Sequence, residues 1–296
     1  MDTRIVSPDD LTEAVSFLKK GIPIAIPTET VYGLAAPVFF SEAILRVFSI
    51  KGRPSDNPLI AHVSSLDQAA LLGENLPSSF FRLAERFWPG PLALVVQRKR
   101  EVPPVVSAGQ PTIAIRMPKH PAALRLLQEF GEPLAAPSAN LSGRPSPTKA
   151  ADVLEDLDGK IPLIVDGGEC HIGIESTVLN LASPQPILLR PGAITIGELE
   201  EALGQKILLP EKGTPIQSPG MKYRHYAPKA KLRLLYDLRD SQGGFLLTRV
   251  SARSLYADLR RADRLGVSTI EIYCGLDVQK DPALMNRLLR ASGQIS

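Results

Sequence analysis

The sequence predicts an α/β fold on a mixed sheet, followed by a linker and a second, smaller α/β unit. Three observations carry this. Over residues 1–204, apolar runs of strand length alternate with amphipathic stretches of helix length. Residues 178–181 and 187–190 are two such runs separated by a turn-rich segment of hairpin size, so the pairing is not all parallel. From Gln205 the composition changes, and after Lys231 a new strand–helix alternation begins. The expected organisation is a catalytic-sized domain over 1–204, an ordered linker or lid over 205–230, and a small C-terminal domain over 231–296.

Composition bounds the function. The 296 residues are 44% hydrophobic and 22% charged, ordinary for a chain with a real core. A net charge of +3 admits an anionic substrate or a transient RNA contact without demanding nucleic acid. The 27 prolines are spread among short motifs, which reads as loop stiffening rather than disorder. The two cysteines, Cys170 and Cys274, lie far apart, which argues against a disulfide framework or a zinc cluster. No apolar run approaches the roughly 18 residues of a membrane span. The polar, acidic N-terminus has no signal core. The expectation is a soluble cytoplasmic protein without membrane association.

Taken in order, Ser7-Pro8-Asp9-Asp10 reads as a helix start, with Leu11, Val15 and Leu18 inward and Gly21 as the stop. A short buried strand over 22–26 runs into PTETVYGL, where Thr28, Glu29, Thr30 and Tyr32 form either a polar site or a Thr-capped turn. A helix over 41–50, with Ile44, Leu45, Val47 and Phe48 inward, leads to KGRPSDNPLIAH at 51–62. Pro54 and Pro58 keep Arg53 and Asn57 out of the helical region. Lys51 and Arg53 suit phosphate or carboxylate, Arg as a planar fork and Lys as a point charge. Trp88 is expected as an anchor ahead of a strand over 92–96. TIAIRM at 112–117 alternates so that Thr112, Ala114 and Arg116 share one face.

A helix over 121–130 leads to a strand over 133–136 and then to PSANLSGRPSPT. Small residues and hydroxyls there let a ligand approach the backbone ahead of a helix over 148–157. Neither GxxxxGK[ST] nor GxGxxG is present. A strand over 161–165 precedes Asp166-Gly167-Gly168, and Glu175-Ser176-Thr177 enters the hairpin that ends in Arg190-Pro191-Gly192. A helix over 196–203 closes the first domain. In the linker, SPGMKYRHYAP concentrates two tyrosines, Lys, Arg and His, enough to cover a nucleotide as a lid.

These motifs, PTETVYGL, KGRPSDNPL, WPGPL, TIAIRMP, APSANLSGRPSPT, DGG, ESTVLN, LLRPG and SPGMKYRHYAP, together resemble the two-domain form of the threonylcarbamoyl-adenylate synthase family. The resemblance runs from about residue 22 into the C-terminal region. It implies a YrdC-like twisted open mixed sheet with a basic cavity, followed by a small Rossmann-like domain that is here shorter than the family form. The implied activity is that of a nucleotidyltransferase joining L-threonine, bicarbonate or CO2, and ATP into threonylcarbamoyl-AMP and pyrophosphate. The product serves N6-threonylcarbamoyladenosine modification of tRNA through a separate tRNA threonylcarbamoyl transferase complex, with transient tRNA contact as a further expectation. Carried over by position, Thr30, His62, Arg116 and Ser176 would hold threonine, with the Ala136 carbonyl accepting its amine. Lys51, Arg53, Asn57, Thr112, Ser138, Ser146 and Arg190 would hold ATP, with Lys51 and Arg53 acting in catalysis. Tyr223, His225 or Tyr226 would close over the nucleotide. Mg²⁺ is expected to accompany ATP rather than to occupy a protein-only cage.

Overall fold

The computed structural model describes residues 2–210 and 225–295. Ten strands of the first domain form one mixed sheet. They are β1 (Arg4–Val6), β2 (Ile24–Ile26), β3 (Gly33–Pro37), β4 (Ile60–His62) and β5 (Leu92–Gln97), then β6 (Thr112–Arg116), β7 (Leu134–Ala135), β8 (Leu163–Val165), β9 (Thr177–Asn180) and β10 (Ile187–Arg190). Their spatial order is β1-β8-β2-β3-β7-β4-β6-β5-β9-β10. The 178–181 and 187–190 runs pair antiparallel as β9 and β10, while β4–β6 and β5–β9 are parallel, so the sheet is mixed as expected. The smaller unit holds β11 (Lys231–Leu235), β12 (Phe245–Leu247) and β13 (Thr269–Tyr273) in the all-parallel order β11-β13-β12. No helix among the described residues is long and apolar enough to cross a membrane.

Strand alternation sorts side chains between two environments. Leu92, Leu94 and Val96 of β5, with Ile113 and Ile115 of β6, enter the main core under the helices. Ala93, Val95 and Ala114 turn to the opposite face with Ile60 and Val178. Burying each large aliphatic side chain is worth about 1.5–3 kcal/mol, so the register is firmly set. Trp88 anchors the core edge as expected, edge-on to Phe80 at 5.3 Å and donating from Nε1 to the Leu92 carbonyl at 2.7 Å.

Several local readings change. The first helix is Thr12–Lys19, because Ser7 and Asp10 instead accept backbone N–H groups two residues on and hold a turn. Its end at Gly21, in the left-handed region at φ +67°, is where the sequence placed it. The helix at 41–50 extends to Lys51, capped by left-handed Gly52, and Leu45 on it is exposed rather than buried. β1, β3 and a short helix at Leu66–Ala70 carried no sequence signal. β1 is a three-residue edge strand, and GLAAP of β3 has the Gly and Pro of a loop.

The domains meet through charge. Arg260, on the helix Leu255–Arg264, is fully buried and donates to Asp156 at 2.9 Å and to the Pro145 carbonyl at 2.6 Å. Asp156 also receives Arg144, and four residues earlier Asp152 receives Arg264 at 3.2 Å. Removing one partner of a buried pair strands the other charge. Arg260→Ala is therefore expected to cost about 3–5 kcal/mol in urea unfolding, against less than about 1 kcal/mol for Arg264→Ala at the half-exposed end of the same helix. Equal losses would remove the buried pair as the main lock.

Candidate active site

β2 and β3 form a hairpin whose connection is the PTETVY stretch. Within it, the Thr28 hydroxyl accepts the N–H groups of Thr30 (3.2 Å) and Val31 (3.3 Å) and donates to the Val31 carbonyl at 2.7 Å. This local knot fixes Thr30 beside Arg116, whose Nη1 donates to Thr30 Oγ1 at 3.0 Å. Arg116 Nε donates to the Gly90 carbonyl at 3.2 Å, and its Nη2 lies 2.7 Å from a Glu29 carboxylate oxygen, both side chains being buried. A guanidinium has five N–H donors, so these contacts aim the fork and leave capacity for another carboxylate.

His62 is the register partner of Arg116 across β4 and β6. Its Nδ1 lies 3.2 Å from the Ile60 carbonyl. A carbonyl only accepts, so Nδ1 carries the proton and Nε2 is left as an acceptor. Burial, reinforced by the Arg116 charge, pushes the imidazole pKa down to about 3. His62 is thus neutral across the physiological range.

These residues line a cleft walled by Ala136, Pro137 and Ser138 and lined also by Ser176. Gly33 allows the close approach of that wall, since a Cβ there would stand 3.1 Å from the Ala136 methyl. Arg53, Arg190, His225 and Tyr226 also face the cleft. Arg53 is tied down by bonds from Nε to the Asn57 carbonyl (3.1 Å) and from Nη2 to the Pro58 carbonyl (2.9 Å). Burial lowers its pKa to about 10, which keeps it cationic. Arg190 donates from Nε to the Ser176 carbonyl (3.0 Å) and from Nη2 to the Ser176 hydroxyl (3.2 Å). Burial and the neighbouring Arg53 charge push the His225 imidazole down to about 3.

Not every expected ligand reaches the lining. Lys51 closes its helix with its ammonium buried, donating to the backbone carbonyls of Ser138 and Asn140, the latter at 2.5 Å. Burial and then Arg53 hold its pKa well below the usual lysine value. It supports the Ser138 wall from behind. Asn57 and Thr112 are buried outside the lining. Ser146 donates to Glu175 at 2.5 Å instead of facing the cleft. Tyr223 lies outside the described residues.

The sequence reading missed Glu175. Glu175 lines the cleft, and its carboxylate takes Ser146 on Oε1 and, on Oε2, the Tyr256 hydroxyl (2.8 Å) and Arg287 Nε (2.9 Å). Arg287 and Tyr256 come from the C-terminal domain, 112 and 81 positions away, so no local pattern announces them. Tyr226 packs against the same group, 5.5 Å from Tyr256 and under the Arg287 guanidinium at 5.5 Å. Its φ of +64° is a left-handed conformation that costs an aromatic residue energy and persists only where surroundings enforce it. The following Ala227 N–H donates to the Gly143 carbonyl at 2.8 Å.

Comparisons with known proteins bear on what such a cleft does. A Sua5/YciO/YrdC family model described as telomere recombination matches residues 16–192, and one described as the threonylcarbamoyl-AMP synthase C-terminal domain matches 194–245. The threonylcarbamoyl-AMP synthase of Pyrococcus abyssi is 41% identical, over 95% of this chain and 93% of that one. That of Bacillus subtilis is 42% identical, over 96% and 93%. The crystal structure of P. abyssi Sua5 complexed with L-threonine superposes with a TM-score of 0.91 at 39% identity, covering 99% of this chain and 98% of that one.

The neutral His62 makes a testable demand on stability. An unfolded histidine takes up a proton near pH 6.5, whereas the folded one resists until about pH 3. Its contribution is therefore full above pH 6.5 and is lost as the pH falls toward 3. Between pH 7 and 5 it should cost the fold about 2 kcal/mol. His62→Gln should abolish that share in urea unfolding at the two pH values, and an unchanged acid sensitivity in the variant would contradict the buried neutral assignment.

Proposed function

The chain belongs to the threonylcarbamoyl-AMP synthase family in its two-domain form, and from that premise we propose how its cleft carries out the reaction. L-Threonine, bicarbonate or CO2, and ATP are joined into threonylcarbamoyl-AMP with release of pyrophosphate, a nucleotidyl transfer. The observation that carries the assignment of ends is the pairing of Arg116 with neutral His62 and Thr30 in a cleft whose other cations among the described residues are Arg53 and Arg190.

The Arg116 fork receives the threonine carboxylate, as a planar guanidinium suits a planar anion. His62 Nε2 accepts from the hydroxyl beside Thr30, Ser176 supports the same end, and the Ala136 carbonyl accepts from the amine. Arg53, Arg190 and the Ser138 wall take the triphosphate, with Lys51 holding that wall in place. His225 and Tyr226 cover the nucleotide. Asn57, Thr112 and Ser146 act on this end through the backbone and side chains they hold rather than by direct contact. MgATP is the nucleotide substrate, with the ion held by its own phosphates.

Threonine's neutral amine captures CO2 to give a carbamate and a released proton. A carbamate oxygen then attacks the α-phosphorus in line, forming the P–O bond as the bond to the leaving pyrophosphate breaks. The nucleophile is already an anion, so adenylation needs no general base. Catalysis comes from positioning and from neutralising the charge that moves onto pyrophosphate. We assign the reaction to the cytoplasm, where the product is passed to a tRNA threonylcarbamoyl transferase complex, with direct tRNA contact at most transient.

Incubation with ATP, threonine and bicarbonate should yield a mass-spectrometric signal for threonylcarbamoyl-AMP, and its absence from active preparations would overturn the reading. Arg53→Ala should cut threonine-dependent pyrophosphate release by about 10²–10³, the usual cost of one transition-state charge donor. Arg116→Ala should raise KM for threonine far more than KM for ATP. The reverse preference would exchange the two ends of the cleft.

A further inference from the structure

An anion-binding cleft should exclude carboxylates, yet Glu175 lines this one, the single acidic side chain among the described residues that do. It is 7% exposed, directly precedes Ser176, and sits in the field of Arg190. Burial alone would raise its pKa, but the Arg287 and Arg190 guanidiniums and its hydrogen bonds hold it below the usual glutamate value, so the group is an anion. A bare carboxylate there would repel the polyphosphate that the neighbouring arginines attract, by the same Coulomb term with the sign reversed.

The charge that answers it comes from the other domain. Arg287, on the helix Pro282–Ser292, is fully buried. It donates from Nε to Glu175 Oε2 (2.9 Å), from Nη2 to the Glu175 carbonyl (3.2 Å) and from Nη1 to the Pro191 carbonyl (3.0 Å), the residue after Arg190. Tyr256 donates to the same carboxylate oxygen, and Tyr226 lies under the guanidinium plane. We propose that Arg287 is a positioning residue which screens Glu175, so that the cleft admits the polyphosphate of ATP only while the C-terminal domain is docked on the first. The inference rests on the functional reading above and adds to it a reason for the second domain. Arg287 is not aimed at substrate. It acts on the charge of a neighbouring residue that lines the cleft.

A mere clamp between domains and an electrostatic screen differ in one respect. If Arg287 only clamps, losing it disturbs both substrates alike, and neutralising the stranded Glu175 as well moves both KM values together. If it screens, removing the charge it screens restores the cleft. The experiment uses the full chain and measures pyrophosphate release with ATP and threonine varied in turn. Arg287→Met, which keeps the unbranched stem without the charge, should raise KM for ATP by about tenfold or more with KM for threonine within about twofold. Adding Glu175→Gln to that variant should bring KM for ATP back to within about threefold of the wild type. No recovery in the double variant, or equal rises for both substrates, would overturn the proposal. Should Arg287→Met fail to fold, Glu175→Gln alone decides. Screening predicts a lower KM for ATP, because Arg287 is then left in excess, and a higher one overturns it. A wild-type chain that releases no pyrophosphate would overturn the functional reading and the inference with it, which separates the two failures.

Discussion

A β-strand presents successive side chains to opposite faces, and the site depends on that two-residue period. In β4 and β6, Ala61, Ile113 and Ile115 go to the helical core, which forces His62 and Arg116 onto the other face as direct neighbours. The same parity in β9 carries Val178 to that face, and Ser176 lies two residues before it. A slip of one residue in any of these strands would send a charged or polar ligand into the apolar layer. The hydrophobic core is therefore also the device that aligns the cleft, and aliphatic burial on one side sets polar geometry on the other.

That second face cannot be left as it is, because it carries charge without enough water. Three buried arginines meet buried acids around it: Arg116 with Glu29, Arg260 with Asp156, and Arg287 with Glu175. Such pairs lose much of their Coulomb gain to desolvation, so they add little net stability over an apolar contact. What they do well is reject alternatives, since a misdocked domain leaves several charges unpaired at once. The first pair sets the orientation of the Arg116 fork, while the other two tie the C-terminal domain to the first, one of them at the cleft wall. Specific docking and a defined electrostatic interior thus come from the same contacts.

How much of this the sequence disclosed follows from the range of each interaction. Residues whose role is fixed within a few positions were legible: the β9–β10 hairpin, the Trp88 anchor, and Arg53, held by carbonyls four and five residues on. Arg116 is legible from strand parity, whereas His62 enters only through the resemblance, and their cross-strand pairing appears only in the structure. In the sequence Lys51 opens a cationic loop, and continuation of the helix by one residue instead buries it against the Ser138 and Asn140 carbonyls. β3 was invisible because GLAAP has loop composition, and it is a strand only through its partners β2 and β7. Glu175 stood in plain view beside Ser176, but its meaning lies with Arg287 and Tyr256 across the domain junction. Long-range charge pairing leaves no periodic trace in a chain.

The electrostatic character of the cleft also bears on the least obvious step of the proposed reaction, the supply of a neutral amine. Free threonine is a zwitterion, and only its unprotonated amine can capture CO2. His62 is a poor candidate for the base, because a group that holds a proton only below about pH 3 will not take one from an ammonium. The arginines offer another route. A positive field disfavours an ammonium and favours a carbamate, shifting both equilibria in the direction of reaction without any residue exchanging a proton. In the proposed reaction the Ala136 carbonyl would orient the amine through a single acceptor, which a neutral N–H satisfies as well as a charged one. The neutral His62 and the cationic arginines are then two aspects of one design. Every group near the amine keeps its protonation state while the substrate changes its own.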